Sequence, residues 1–272
     1  MVPPVVRVPR SAWRTTGVTM GDRAIPEETA IALTYNGTTY AVMMASPQDL
    51  EDFAIGFTLS ERVVDNLEAI EQFEAVETEL GIELRMWLRD VDAARLAERR
   101  RQHAGPTGCG LCGIESLAEA MRLPLPVSAT RKFTSAEIME AVTSMAPAQV
   151  LNHETRAVHA AGYWEPERGL ICLREDVGRH NALDKLCGAL ARGGENARVG
   201  LIVLTSRISV EMVQKAAAAG AAILVAVSAP TALAVKMAEL CGMTLAAIAR
   251  PDGFEVFTHP GRIEGERTSH VA

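Results

Sequence analysis

Two cysteines, Cys109 and Cys112, lie three positions apart in a glycine-rich stretch, GPTGCGLCGIE, at residues 105–115. Thiols this close serve metal binding, dithiol redox chemistry or the carriage of sulfur as a persulfide. Structural zinc sites usually take two close pairs of ligands, and the sequence has one CxxC, so we predict no metal. The basic run ERRRQH (98–103) favours a thiolate and the glycines allow movement, which leaves redox and persulfide chemistry both open.

Composition and charge limit the class of the protein. The 272 residues are 48% hydrophobic and 22% charged, which is typical of a soluble globular protein. The formal net charge of −7 argues against a nucleic-acid partner and against a general anionic-membrane surface. The start has no apolar run of signal-peptide length, and the apolar run at 220–229 is too short to span a bilayer. Five cysteines, an odd number, favour reduced thiols, so we expect a cytoplasmic protein.

The strand and helix patterns predict an α/β fold. Residues 29–45 predict two strands joined by Asn36-Gly37, followed by a helix with Ser46 as its N-cap. Farther along, continuous apolar strands alternate with helices, which predicts a parallel sheet. The strands are expected at 199–206, 221–228 and 243–249, and the helices at 209–220 and 231–242.

The same patterns divide the chain into four parts. The larger part is an α/β domain, and a smaller α+β subdomain precedes it. We assign 1–28 to a loosely ordered lead-in, 29–126 to the N-terminal α+β part ending in the CxxC loop, 127–262 to the C-terminal α/β domain, and 263–272 to a flexible tail.

Three loops follow the predicted parallel strands: TSRIS (205–209), SAPT (228–231) and ARPDG (249–253). In open α/β sheets, ligands bind beyond the carboxyl ends of the strands. Backbone N–H groups at helix N-termini, together with Arg207 and Arg250, would suit phosphate oxygens. Ordinary capping with surface arginines explains each loop alone, but three such loops at one edge make an anion site an equal alternative.

Charged residues are also dense in REDVGRHNALDK (174–185), at a predicted strand-to-helix turn. Arg179 and His180 can meet an anionic ligand there. In the alternative interpretation Asp176 caps the helix, and the other charged residues form surface pairs worth a few tenths of a kcal/mol each. The residues alone leave the role of His180 open.

Several long motifs occur in order between about Thr29 and Pro260. They are TYNGTTYAVMMASPQDLEDFAIGFTLSE (34–61), PTGCGLCG (106–113), REDVGRHNALDK (174–185), SRISVEMVQKAAAAG (206–220) and VSAPTALAV (227–235). Together they resemble the formate dehydrogenase accessory sulfurtransferase (FdhD) family. The resemblance implies a cytoplasmic, homodimeric sulfurtransferase whose layered α/β core is similar to cytidine deaminases without their zinc chemistry.

The resemblance also implies a route for sulfur. Sulfane sulfur would pass from a cysteine desulfurase to the molybdenum bis-pyranopterin guanine dinucleotide cofactor, which then enters formate dehydrogenase. Cys109 would carry the persulfide and Cys112 would be its partner thiol. A GDP-like guanine nucleotide is expected to mimic the cofactor. The family's cofactor-binding segment matches IARPDG, which is Ile248, Ala249, Arg250, Pro251, Asp252 and Gly253. The residue patterns described above add Arg207 and His180 as candidate cofactor-binding residues.

The chain departs from the family pattern at NHETRAVHAAGYW (152–164), so the details of that part of the pocket do not follow from the resemblance. Two alternative functions remain. One is a dithiol oxidoreductase with a reversible Cys109–Cys112 disulfide. The other is a non-enzymatic chaperone that binds the molybdenum cofactor or a guanine nucleotide without using its thiols.

Overall fold

The computed structural model describes residues 2–94, 96, 121–129 and 131–265. These residues form a mixed α/β fold with a six-stranded sheet, a four-stranded sheet and two separate pairs of strands. The α/β class predicted from the sequence is therefore confirmed. The cytidine deaminase-like layering and the division between residues 126 and 127 stay predictions.

The first two strands form a long hairpin. Strand β1 (Val5–Arg14) pairs antiparallel with β2 (Gly17–Pro26) along its whole length. The expectation of a loosely ordered lead-in is wrong for these residues. Pro9 lies opposite Asp22 in the ladder. A proline is tolerated there because both strands of a two-stranded sheet are edge strands, where a missing N–H can face outward.

Four strands and one helix form the N-terminal unit. They are β3 (Thr29–Tyr35), β4 (Thr38–Ala45), α1 (Leu50–Ser60), β5 (Ile70–Thr78) and β6 (Gly81–Leu88). The strand order is β4-β3-β6-β5, and alternate residues of β6 are buried against α1. The predicted Asn36-Gly37 turn is confirmed, with φ of 47° and 78° at the two residues. Such values match a hairpin turn.

Ser46 is not the N-cap of α1, contrary to the sequence prediction. The helix begins at Leu50 with Asp49 in the N-cap position. Ser46 is instead fully buried, and its backbone N–H donates to the carboxylate of Asp176 at 2.9 Å. A long-range contact, rather than local capping, therefore explains this residue.

The C-terminal unit contains the larger sheet. Its first helix begins with a capping box, because the Thr134 hydroxyl accepts from the N–H of Glu137 and the Glu137 carboxylate accepts from the N–H of Thr134. The elements are β7 (Phe133–Thr134), α2 (Ser135–Ala148), α3 (Val150–Thr155), β8 (His159–Glu165), β9 (Gly169–Asp176), α4 (Arg179–Gly193), β10 (Leu201–Leu204), α5 (Val210–Ala218), β11 (Ile223–Ala226), α6 (Ala232–Cys241), β12 (Thr244–Arg250), β13 (Gly253–Thr258) and β14 (Ile263–Glu264).

The six strands lie in the order β13-β12-β11-β10-β8-β9. The predicted parallel pairing of β10, β11 and β12 is confirmed, and antiparallel strands β8, β9 and β13 extend the sheet on both sides. Helices α4, α5 and α6 cover one face of the sheet, and α2 covers the other. Ile263 and Glu264 pair with β7, so the predicted flexible tail is wrong for these two residues. Residues 266–272 of that tail lie outside the described residues.

The two units meet where α1 crosses α4, through a glycine on each helix. A Cβ atom at Gly56 would lie 1.7 Å from the carbonyl oxygen of Asp184. A Cβ atom at Gly188 would lie 1.9 Å from the carbonyl oxygen of Asp52. Both contacts are to backbone, which cannot yield as a side chain can. Glycine is therefore required at both positions for this helix crossing.

Gly188→Ala is expected to destabilise the protein by about 3 kcal/mol, because the added methyl group forces the two helix backbones apart. Equilibrium urea unfolding measures the loss. The matched control is Gly193→Ala in the last turn of the same helix, where the added Cβ would meet Glu195 at an ordinary 3.6 Å. The control is expected to change the unfolding free energy by less than about 1 kcal/mol. Equal losses in both variants would contradict the close crossing.

Candidate functional site

The loops at the carboxyl ends of the parallel strands are hydrogen-bonded to one another. After β10 and β11, the N–H of Thr231 donates to the carbonyl of Ile208 at 2.9 Å. After β11 and β12, the N–H of Ile248 donates to the carbonyl of Ser228 at 3.2 Å. The three loops singled out in the sequence are thus brought together at one edge, called the sheet edge below. Helices α4, α5 and α6 all begin there, so their free N–H groups favour anions.

The segment Ile248–Gly253 joins β12 to β13 at the sheet edge. Ile248 has φ of 55°, which is unusual for a β-branched residue, and the β12–β13 ladder is irregular between Ala247 and Arg250. Strained backbone of this kind persists where surrounding contacts hold it, often at functional sites. Here the hydrogen bond from Ile248 to the β11 loop is one such contact.

Two predicted arginines lie at the sheet edge. Arg250 is exposed, and its guanidinium donates to the carbonyl of Ala249 at 2.8 Å and to that of Val227. Arg207 is exposed in the loop after β10. Both side chains therefore have donor groups accessible to a ligand in solution, as an anion site needs.

His180 lies in the first turn of α4 and faces the N-terminus of α5. Its Nε2 is 3.4 Å from the carboxylate of Glu211 and 3.5 Å from the hydroxyl of Ser209. The Ser209 hydroxyl donates to the same carboxylate oxygen at 2.7 Å. Hydrogen bonding with His180 lowers the pKa of Glu211 to about 2, so this carboxylate is ionised at neutral pH. Sequence reasoning found His180 but missed Glu211, although SVE is a typical helix start.

His159 and Arg179 lie beside this group. His159 is opposite Asp176 where β8 and β9 pair. Burial, followed by the charge of Arg179, lowers the pKa of His159 below its ordinary value, which favours a neutral ring at pH 7. The Nε of Arg179 is buried and finds no hydrogen-bond partner among the described residues. An unsatisfied donor at the sheet edge is consistent with a ligand oxygen as the missing partner.

A buried ion pair stabilises the turn between β9 and α4. The Asp176 carboxylate accepts from the N–H of Gly178 at 2.7 Å and is paired with Lys185 at 2.7 Å. Lys185 also donates to the carbonyl of Ser46 at 2.9 Å. Asp176 and Lys185 are both fully buried. The interpretation of Lys185 as part of a surface pair is therefore wrong, because this buried ion pair ties the strand-to-helix turn to the N-terminal unit.

A second buried ion pair lies between α4 and α5. The ammonium group of Lys215 is 2.9 Å from the carboxylate of Asp184, which also accepts from the hydroxyl of Ser60 at the end of α1. Burial alone would lower the pKa of Lys215, but the carboxylates of Asp184 and Glu61 raise it above its ordinary value. The Lys215 amine is therefore charged, and its contacts with Ser60 and Asp184 link α5 to α1 and α4.

Cys109 and Cys112 lie outside the described residues. N-terminal to the two cysteines, Leu96 is buried in the core of the N-terminal unit. C-terminal to the two cysteines, the guanidinium of Arg122 donates to the carbonyl of Glu61 at 3.2 Å. Within the described ranges, no group of three or more histidine, cysteine or acidic side chains is arranged to hold a metal ion. That observation leaves the CxxC pair untested.

The remaining cysteines are free thiols. Cys187 and Cys241 are buried in the core on the helical face of the sheet, as their apolar sequence context predicts. Burial raises the pKa of Cys187 to about 12, which makes it a poor nucleophile. Cys172 is half-buried in β9, and burial likewise raises the pKa of its thiol. The described thiols therefore have no sign of reactive sulfur chemistry.

Comparison with known proteins identifies the family of this chain. A profile of the FdhD/NarQ family matches residues 26–264. The chain belongs to the FdhD/NarQ family. The sulfur carrier protein FdhD of Agrobacterium fabrum is 49% identical over 258 residues, covering 94% of this chain and 95% of that protein. The sulfur carrier protein FdhD of Brucella abortus is 51% identical over 253 residues, covering 93% of this chain and 94% of that protein.

A solved structure agrees with the FdhD/NarQ assignment. The crystal structure of a protein from Desulfotalea psychrophila, assigned as a formate dehydrogenase accessory protein, is similar with a TM-score of 0.75. It is 26% identical and covers 96% of this chain and 100% of that chain. The family resemblance read from the motifs is therefore confirmed. Over the described ranges, none of the helices combines the length and apolar character needed to cross a bilayer.

Proposed function

We propose that this protein is a cytoplasmic sulfur carrier for the maturation of formate dehydrogenase. It takes sulfane sulfur from a cysteine desulfurase and passes it to the molybdenum bis-pyranopterin guanine dinucleotide cofactor before that cofactor enters the enzyme. One observation carries the proposal. The CxxC pair lies inside a family match of residues 26–264, in a chain about half identical to proteins named sulfur carriers.

In the proposed reaction, Cys109 is the thiol that accepts sulfur. Its thiolate attacks the outer sulfur of the desulfurase persulfide, a new S–S bond forms, and the desulfurase cysteine leaves as a thiolate. The outer sulfur of the Cys109 persulfide then passes to the bound cofactor as sulfide: the Cys112 thiolate attacks the Cys109 sulfur, a Cys109–Cys112 disulfide forms, and a cellular dithiol later reduces that disulfide. Cys112 thus assists the transfer or release of the sulfur as the neighbouring thiol. These roles make the protein a sulfurtransferase with a persulfide intermediate.

The sheet edge is the proposed binding site for the cofactor, which is the substrate of the reaction. Its guanine dinucleotide has phosphates, and the sheet edge offers helix N-termini with Arg207 and Arg250. The buried Nε of Arg179 lacks a partner among the described residues and would be satisfied by a phosphate oxygen. His180 and the segment Ile248–Gly253 complete the proposed site, for which GDP is a convenient probe. As in the family resemblance, we propose that the protein acts as a homodimer.

Reactivation of a client enzyme tests the proposal. Formate dehydrogenase made without an accessory protein is incubated with this protein, a cysteine desulfurase and cysteine. We expect formate oxidation to recover only when all components are present, because sulfur must travel through the carrier. A dithiol oxidoreductase would not need the desulfurase. A non-enzymatic chaperone would still restore activity after Cys109 and Cys112 are both changed to serine. Either result would contradict the proposal.

A further inference from the structure

A serine at the start of α5 does not perform the usual task of its position. Ser209 is the N-cap residue, where a hydroxyl normally accepts from an N–H of the first turn. Here Ser209 makes no side-chain cap, and its hydroxyl donates to the Glu211 carboxylate at 2.7 Å instead. By contrast, the N-cap of α6, Thr231, accepts from the N–H of Ala234 at 3.2 Å. The Ser209 hydroxyl therefore fixes the Glu211 carboxylate and does not cap the N-terminus of α5.

The Glu211 side chain, which accepts from the Ser209 hydroxyl, faces the imidazole of His180 on α4. The carboxylate of Glu211 is 3.4 Å from Nε2 of His180, and the Ser209 hydroxyl is 3.5 Å from the same nitrogen. The His180 and Glu211 side chains are 31% and 29% exposed, so the pair is shielded from solvent without being sealed from a ligand. Because the three groups come from two helices that both begin at the sheet edge, they fix the ring at that edge.

We propose that Glu211 is a positioning residue for His180. Its carboxylate, locked by the Ser209 hydroxyl, fixes the imidazole so that the ring meets a phosphate of the guanine dinucleotide. This inference rests on the proposed function, because it assumes that the sheet edge binds that ligand. Glu211 itself carries a negative charge and does not contact the phosphate, so it acts through the histidine. Its effect on binding should therefore disappear when His180 is absent.

A double-mutant cycle on GDP affinity tests this dependence by isothermal titration calorimetry. Glu211→Gln and His180→Gln are each expected to weaken GDP binding by about 10-fold, and the double variant by about 10-fold rather than 100-fold. Ser209→Ala, which frees the carboxylate but retains it, is expected to weaken binding by about 3-fold, with no further loss in the His180→Gln background. Additive losses, or GDP affinity unchanged in Glu211→Gln, would overturn the inference.

The control is a similar pair at the opposite end of the sheet. Glu239 lies 3.6 Å from Nε2 of His259, near the start of β12, where the His259 carbonyl accepts from Thr244. Glu239→Gln is expected to leave GDP affinity within about 2-fold of wild type. A purely local stability effect would lower the unfolding midpoint of Glu211→Gln without coupling to His180, and this result also would overturn the inference.

Sulfur loading separates this inference from the proposed function. The wild-type protein is loaded with sulfur by the desulfurase and is separately titrated with GDP. If the wild-type protein binds GDP and accepts sulfur but the cycle shows no coupling, only the positioning role is wrong. If the wild-type protein fails to bind GDP or to accept sulfur, the proposed function itself is contradicted.

Discussion

Cys109→Ser is expected to lower sulfur delivery to formate dehydrogenase by about 100-fold or more, since a serine hydroxyl cannot hold sulfane sulfur at neutral pH. The effect should be on transfer and not on ligand binding, because the proposed ligand site is the sheet edge around Arg207, His180 and Arg250. GDP affinity of the variant should therefore stay within about 2-fold of wild type. The measurements are the client reactivation assay and titration calorimetry with GDP.

Cys187→Ser is the matched control for this thiol substitution. Cys187 lies on the buried face of α4, and burial raises the pKa of its thiol, which excludes it from thiolate chemistry at neutral pH. We expect the control to keep most of its sulfur delivery, with a modest loss of stability from burying a hydroxyl. If Cys109→Ser delivers sulfur as well as this control does, Cys109 is not the carrier.

Lys215→Met is expected to destabilise the protein by about 3–5 kcal/mol, because it leaves the fully buried carboxylate of Asp184 without its charged partner. The loss should be large since, among the described residues, the Asp184 carboxylate accepts just one other side-chain hydrogen bond, from the Ser60 hydroxyl. The exposed Lys236 on α6 provides a control, and Lys236→Met should change stability by less than about 0.5 kcal/mol. Equilibrium urea unfolding gives both values.

A second variant distinguishes a buried ion pair from simple packing. Replacing both charges, as Lys215→Met with Asp184→Leu, removes the unpaired carboxylate and should recover most of the lost stability. If the double variant is less stable than Lys215→Met alone, the Asp184 side chain stabilises the junction of α1, α4 and α5 through contacts other than the lysine charge, such as its hydrogen bond from Ser60. A loss below about 1 kcal/mol in Lys215→Met would contradict the buried pair.

The parallel part of the fold was accessible from the sequence, because local patterns specify it. Continuous apolar runs with helices between them predicted β10, β11, β12 and their pairing, and the Asn36-Gly37 turn predicted the β3–β4 hairpin. Because the carboxyl ends of parallel strands lie at one edge of a sheet, this pairing also predicts that the three loops meet there. The sequence therefore predicts that the loops of Arg207 and Arg250 lie at one edge of the sheet, and the structure has them there.

The contacts of charged residues that are distant in the sequence could not be predicted, because an ion pair leaves no periodic signal in a sequence. Asp184 and Lys185 look like surface residues of a polar helix, yet both are fully buried, and Lys185 contacts Ser46, which is 139 residues away in the sequence. Likewise, Glu211 is ordinary in the first turn of a helix until His180 is seen beside it. The β1–β2 hairpin was missed because it has prolines and little apolar alternation.

The mass of the protein after incubation with a cysteine desulfurase and cysteine tests the central claim most directly. We predict that wild type gains the mass of one sulfur atom, that a thiol reductant removes it, and that Cys109→Ser gains none. Cys112→Ser should still accept sulfur, because Cys112 is assigned to later transfer or release. If Cys109→Ser gains the same reducible sulfur as wild type, the persulfide is carried elsewhere and the account is contradicted.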